Sequence, residues 1–202
     1  MSLGQEHQLR SVHRSRTPSA IAETQLYLAE VIIVDAIEAI LSRRSIRKYR
    51  SESVSADAVT TILQCAMAAP SAVDQQPWRF VLINEREVLD GCARIHPYAQ
   101  MLKQASLAVL VCGDTSSLAS PGYWPQDCAA STQNMLLAAH ALGLGTCWCG
   151  VYPNEQRVAA FRKFLGIPDH VVPFSIVAVG HASEAKPPAD RYDESLVHIN
   201  RW

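Results

Sequence analysis

The sequence predicts an α+β domain. Four stretches carry helical periodicity against three that read as strands, and the two kinds do not alternate regularly enough for a doubly wound parallel sheet. The 202 residues are 49% hydrophobic and 18% charged, a composition that buries one core and is neither disordered nor strongly basic. We expect residues 31–202 to form a single domain and the Arg-, Ser- and His-rich residues 1–30 to be a disordered extension, with "MSLG" matching a tag remnant.

Asp35 is an N-cap acid with Glu38 three residues on, and Ile37, Ile40 and Leu41 share one face, so a helix should run from about 36 to 44. Ser55 is the next cap. Val59, Ile62, Leu63, Ala66 and Met67 then repeat at helical spacing until Pro70 stops the pattern. "WRFVLIN" (78–84) reads as a strand, and "SLAVLVCG" (106–113) as a second, apolar enough for burial on both faces. "DCAASTQNMLLAAHAL" (127–142) holds neither Pro nor Gly and is followed by Gly143 and Gly145, which predicts a long buried helix with a glycine stop. A shorter helix over 154–166 ends on Gly166, "FSIVAVG" (174–180) is the third strand, and a polar tail follows.

Several functions are disfavoured at this point. The formal net charge of −1 gives no domain-wide basic excess for a nucleic acid, and no apolar run approaches the roughly 20 residues that span a bilayer. Six cysteines lie in apolar segments with no secretory signal before them, which fits reduced thiols in a cytoplasmic protein. Cys147 and Cys149 form a C-x-C pair without the partners a structural metal needs. There is no G-x-x-x-x-G-K-[ST], G-x-S-x-G or H-E-x-x-H motif, and Gly143-Leu-Gly145 follows a helix rather than a strand, against a dinucleotide-binding turn. His140, inside the long helix, reads as a core or partner-facing residue rather than a ligand.

Three stretches remain. "RRSIRKYR" (43–50) packs five cations into eight positions. Arginines that end a helix offset its dipole by about 0.3–1 kcal/mol each, and the same cluster also suits a small anion. "APSAVDQQPW" (69–78) is a loop of small residues with Asp74, Gln75 and Gln76 delivered into a strand, and "GLGTCWCG" (143–150) reads as a second, glycine-rich loop. Small residues let backbone approach a flat ligand, while amide side chains supply directed hydrogen bonds. Together they suit a planar cofactor with a phosphate tail.

"AIEAILSRRSIRKYR", "AMAAPSAVDQQPWRFVLIN" and "WPQDCAASTQNMLLAAHALGLGTCWCGVYP" closely resemble three successive signatures of the nitroreductase family of FMN-dependent oxidoreductases, in family order over about residues 35–195. The resemblance implies a nitroreductase-like fold: a central, mostly antiparallel mixed sheet flanked by helices, in an intertwined homodimer with FMN at the subunit interface. It implies that Arg43 and Ser45 hold the FMN phosphate with Arg44 beside it, and that Arg191 and Lys186 add late basic contacts. Arg47 would face the N1/O2 edge of the flavin, where a guanidinium stabilises the charge that reduction places there. Pro70, Ser71 and Ala72 would come from the other subunit, and the backbone N–H groups of Cys149 and Gly150 would address N5 and O4.

The chain departs from the family pattern twice. Asp74 stands where Asn is usual, with Gln76 nearby, and Cys149 stands where some relatives carry an acid; its thiol reads as packing rather than redox. The implied activity is a ping-pong transfer of hydride from NADH or NADPH to flavin N5 and of two electrons onward to a nitroaromatic, quinone or similar small-molecule oxidant. Alternatives are another flavin reaction, such as dehalogenation or flavin consumption, or flavin storage or sensing without turnover. Oxidant choice should rest on residues between the first two strands and on 116–125, where Tyr123 and Trp124 could stack on a ring or serve as buried anchors.

Overall fold

The structure is a computed structural model and describes residues 35–202; the predicted N-terminal extension lies outside them. Helices and strands follow in the order α1 (Ala36–Ser42), α2 (Ala56–Met67), β1 (Trp78–Ile83), α3 (Arg86–Ile95), β2 (Leu107–Asp114), α4 (Trp124–Ala141), β3 (Gly145–Gly150), α5 (Glu155–Leu165) and β4 (Val171–Gly180). This is the expected α+β class. The predicted caps act as such. Asp35 Oδ1 accepts from the Ile37 N–H at 2.9 Å and Ser55 Oγ from the Ala58 N–H at 3.2 Å, while Asn154, read as the first helical residue, is itself a cap whose Oδ1 accepts from the Arg157 N–H at 2.9 Å. Gly166, at φ 65°, ends α5 in the left-handed conformation.

The sheet runs β1-β2-β4-β3 with every neighbour antiparallel. An isolated parallel bridge joins Ser45, outside the four strands, to Thr146 of β3. β2 and β4 are central and buried on both faces, as the unbroken apolar run of β2 required. Period-two alternation divides them. Leu110, Cys112, Ile176 and Ala178 face a core with Leu89 of α3 and Phe161 of α5, whereas Val109, Val111, Val177 and Val179 face Ile62 and Ala66 of α2 and Met135 of α4.

Four boundaries or elements differ from expectation. The stretch read as a glycine-rich loop is a turn at 143–144 followed by β3, whose Gly145–Gly150 backbone pairs with β4. α3 gave no start signal, because its N-cap Glu85 makes no side-chain bond and Gly91 interrupts it. α4 begins three residues early, with Pro125 in the first turn where its missing N–H costs nothing. β4 begins at Val171 and contains Pro173, tolerated because it lies opposite the register shift between Val111 and Cys112.

Candidate functional site

α1 stops at Arg43, where ψ swings to 128° and the chain runs on extended beside β3. The Ile46 N–H donates to Thr146 O at 2.9 Å, and the Tyr49 hydroxyl donates to Ile46 O at 2.7 Å. This approach is why position 145 is glycine: a Cβ there would lie 2.9 Å from two atoms of Ile46. The arginine cluster is thereby carried along the edge of β3. A cavity of about 260 Å³ opens between them, lined by Ser42, Arg43, Arg44, His140, Thr146, Glu184 and Lys186 among others.

The cavity is electropositive. Lys186 Nζ donates to Ser45 O at 2.7 Å, and Glu184 Oε1 accepts from the Arg47 N–H at 2.6 Å while lying 3.4 Å from Lys186 Nζ. The Arg47 N–H bond, before the contact with Lys186, holds the Glu184 carboxyl below the usual range. Burial, then Arg191 and Arg44 as like charges, hold the Arg43 guanidinium below its ordinary value. Among the described residues no carboxylate forms a salt bridge with Arg43, Arg44, Arg47 or Arg191. Guanidiniums gathered without an acid lack their counter-ion, and this donor set fits the phosphate of FMN. The volume, below the roughly 300–1,000 Å³ that encloses a drug-sized ligand, fits the phosphate end and not the whole flavin.

Pro70, Ser71, Ala72, Asp74 and Gln76 do not line this cavity within the one chain. They sit on a strained loop, with φ of 47° at Val73, 55° at Asp74 and 45° at Gln76. A β-branched residue in that region is held there by its surroundings. The buried Asp127 of α4 is the anchor, accepting from the Ala72 N–H at 2.9 Å and from Gln75 Nε2 at 2.7 Å. Gln76 Nε2 donates to Asp74 Oδ1 at 2.8 Å, and the Gln76 N–H donates to Ser71 Oγ at 3.1 Å.

At the far end of β3, Cys147 and Cys149 point to one face and are buried. The neighbouring Cys149 thiol, with Arg47, Lys186 and Arg43 helping, draws Cys147 below the ordinary thiol range against burial. Cys147, then burial, pushes Cys149 up, its thiol lying 3.5 Å from Tyr98 O. Backbone direction distinguishes Cys149 from Gly150. Thr146 O faces the 43–50 segment and the Val151 N–H donates to Phe174 O at the end of β4, so alternation puts the Gly150 N–H on the open edge and the Cys149 N–H in the ladder.

Two residues that gave no sequence signal hold this end in place. His96 is 1% exposed, with Nε2 2.9 Å from Gly150 O and Nδ1 accepting from the Tyr98 N–H at 3.2 Å; the latter bond puts the ring proton on Nε2. Arg157 donates to Gly150 O at 3.3 Å with its guanidinium 5.6 Å from the Tyr98 ring centroid. Trp124 is a buried anchor, edge-on to Tyr152 and Phe174 at 4.8 and 6.1 Å, whereas Tyr123 stays exposed. Asp127 and His140 stood out in the sequence only as polar residues in an apolar helix.

The nitroreductase family model matches residues 40–112 and 96–181. The chain belongs to the nitroreductase family. It is 46% identical over 169 residues to a Methanothermobacter thermautotrophicus protein provisionally named NADH dehydrogenase/NAD(P)H nitroreductase, covering 84% of this chain and 88% of that one. A crystal structure of a similarly named Parabacteroides distasonis protein superposes with a TM-score of 0.78 at 40% identity, over 83% of this chain and 98% of that chain. A nitroreductase, provisionally so named, from Desulfovibrio desulfuricans in complex with FMN superposes at 0.72 with 30% identity, over 84% and 98%. Among the described residues no helix is long and apolar enough to cross a membrane, and no group of three or more His, Cys, Asp or Glu could hold a metal.

Proposed function

We propose that the chain is an FMN-dependent oxidoreductase that works as a homodimer, taking electrons from NADH or NADPH and passing them to a nitroaromatic, a quinone or a similar small oxidant. The observation that carries this reading is the convergence of Arg43, Arg44 and Lys186 on one cavity, with Arg191 beside Arg43 and, among the described residues, no carboxylate in a salt bridge with these arginines. When bound, FMN supplies the redox chemistry, accepting hydride at N5 in one half-reaction and releasing two electrons in the next by a ping-pong cycle. The protein supplies placement and charge.

Arg43, Ser45, Lys186 and Arg191 hold the phosphate, with Arg44 alongside. Arg47, its backbone fixed by Glu184, presents a permanent positive charge to the pyrimidine edge, where it stabilises charge only as charge develops. Gly150 offers an edge N–H free of the β4 ladder. His96 and Arg157 keep that peptide from turning. Pro70, Ser71 and Ala72, with Asp74 and Gln76, complete the site from the second copy, which agrees with their absence from the cavity of their own chain.

The test is the visible spectrum of the purified protein followed by anaerobic titration with NADH and NADPH. A two-banded flavin spectrum that bleaches on addition of either nucleotide and recovers with p-benzoquinone supports the reading. A colourless protein that takes up no added FMN overturns it.

A further inference from the structure

His140 lies in the last turn of α4 and lines the same cavity as Arg43, Arg44 and Lys186. Its Nε2 is 2.8 Å from Ser42 Oγ, and Ser42 Oγ is 2.6 Å from Glu38 O. A carbonyl carries no proton, so the Ser42 hydroxyl donates to Glu38 O and meets the imidazole as an acceptor. The neutral ring therefore bears its proton on Nε2, and the lone pair that titrates is on Nδ1.

The charges around the ring come from three elements. α1 contributes Glu38, with Arg43 and Arg44 just past its end, the segment after β4 contributes Glu184 and Lys186, and β3 contributes Cys147 near Arg43. Glu184 is engaged by the Arg47 N–H and by Lys186. Burial, then Arg43, hold the imidazole below its ordinary value, with Glu38 opposing. A phosphate dianion entering the cavity reverses the balance, because it cancels Arg43 and faces the ring directly.

We propose that His140 is a further ligand of the flavin phosphate, taking up a proton from solvent as FMN binds and holding the cofactor as the imidazolium. The inference rests on the flavin reading above. The sign is definite: the complex binds more protons than the free protein, so FMN affinity rises as pH falls through the pKa of the bound-state imidazole. Below about pH 6 the phosphate gains its own proton and the gain reverses, which sets the window at roughly 6.5–8.5. Riboflavin lacks the phosphate and should show none of this.

The experiment titrates flavin-stripped full-length protein with FMN and with riboflavin across that window by quenching of flavin fluorescence, and repeats it for His140→Gln, whose amide can still donate to Ser42. We expect FMN to bind about 3- to 10-fold more tightly at pH 6.5 than at pH 8.5 in the native chain, since one unit of pKa shift is worth tenfold, with a markedly shallower profile for the variant, where Cys147 alone still titrates beside Arg43, and a flat one for riboflavin. Calorimetry in buffers of different ionisation enthalpy should count net proton uptake on FMN binding to the native chain at pH 7, independently of how well the variant folds. FMN bound with the same pH dependence in both chains, or without proton uptake, overturns the inference alone. A chain that binds no FMN at any pH overturns the flavin reading and this inference with it.

Discussion

Single residues decide how the site treats charge. Asp74 sits at φ 55°, a conformation that Asn also tolerates, and accepts from the Gln76 amide, so Asp74→Asn changes charge with little change of backbone. If the loop meets the pyrimidine edge of the flavin, the native carboxylate opposes reduction there. We expect the variant's flavin to have a more positive midpoint potential, and equal potentials by spectroelectrochemistry would show that Asp74 is remote from the ring. His96 acts through packing instead. His96→Leu removes one of the two donors to Gly150 O and the acceptor for the Tyr98 N–H, and losing part-buried bonds of this kind costs about 0.5–1.5 kcal/mol. Urea unfolding should give a midpoint lowered accordingly, and an unchanged midpoint would mean that Arg157 alone secures the Gly150 peptide. What sequence offered at this scale was uneven. Arg43, Arg44 and Lys186 were legible because charges and motifs are local. His96 and Arg157 were not, since each matters only through a partner brought close by folding, Gly150 being 54 and 7 residues away respectively.

At the scale of elements, apolar periodicity revealed what two-sided burial dictates and missed what neighbours dictate. β2, β4, α2 and α4 carry their burial in their own composition. β3 was hidden because Gly145 and Gly150 suggest a loop although Gly145 is there to admit Ile46, and α3 because Gly91 makes room for the ring of Phe164, which a Cβ would meet at 2.1 Å. Gly145→Val should therefore act on both stability and site, pushing Ile46, which lines the cavity, away from β3 and shifting the arginine segment on either side of it. Overpacking of this kind costs about 1–3 kcal/mol, and each kcal/mol lowers Tm by roughly 2–4 °C in a chain of this size. Gly122→Ala is the control, with nothing within 4 Å of the added Cβ, and should shift stability by less than about 0.5 kcal/mol. Comparable melting curves for the two variants would show that β3 does not need the close approach.

For the whole molecule, the question is whether a second copy completes the proposed flavin site. Arg43 and its neighbours form one wall; the loop with Pro70, Ser71 and Ala72 is tied instead to Asp127 at the start of α4. Nearby, Ile37, Ile40 and Leu41 of α1 and Met67 of α2 are each more than half exposed, beside an apolar groove of about 380 Å³ lined by Ala36, Ala39, Ile40, Ala68, Leu137 and Ala138. Exposed apolar area of this extent marks an interaction surface. If a two-fold contact through it brings one copy's loop to the other copy's arginines, it does so twice, because in an isologous dimer whatever one copy gives it also receives. Ile40→Asp with Leu41→Asp places two carboxylates in that contact without touching a residue that lines the cavity. Light scattering should then report half the native mass, and FMN affinity should fall at least about tenfold, the loss of about 1.4 kcal/mol being a modest share of what a second wall contributes. A variant of native mass that retains its flavin would place the dimer contact on another face. A monomer that binds FMN as tightly as the native chain would show that the cofactor needs no second copy, and that the loop at 70–76 serves something else.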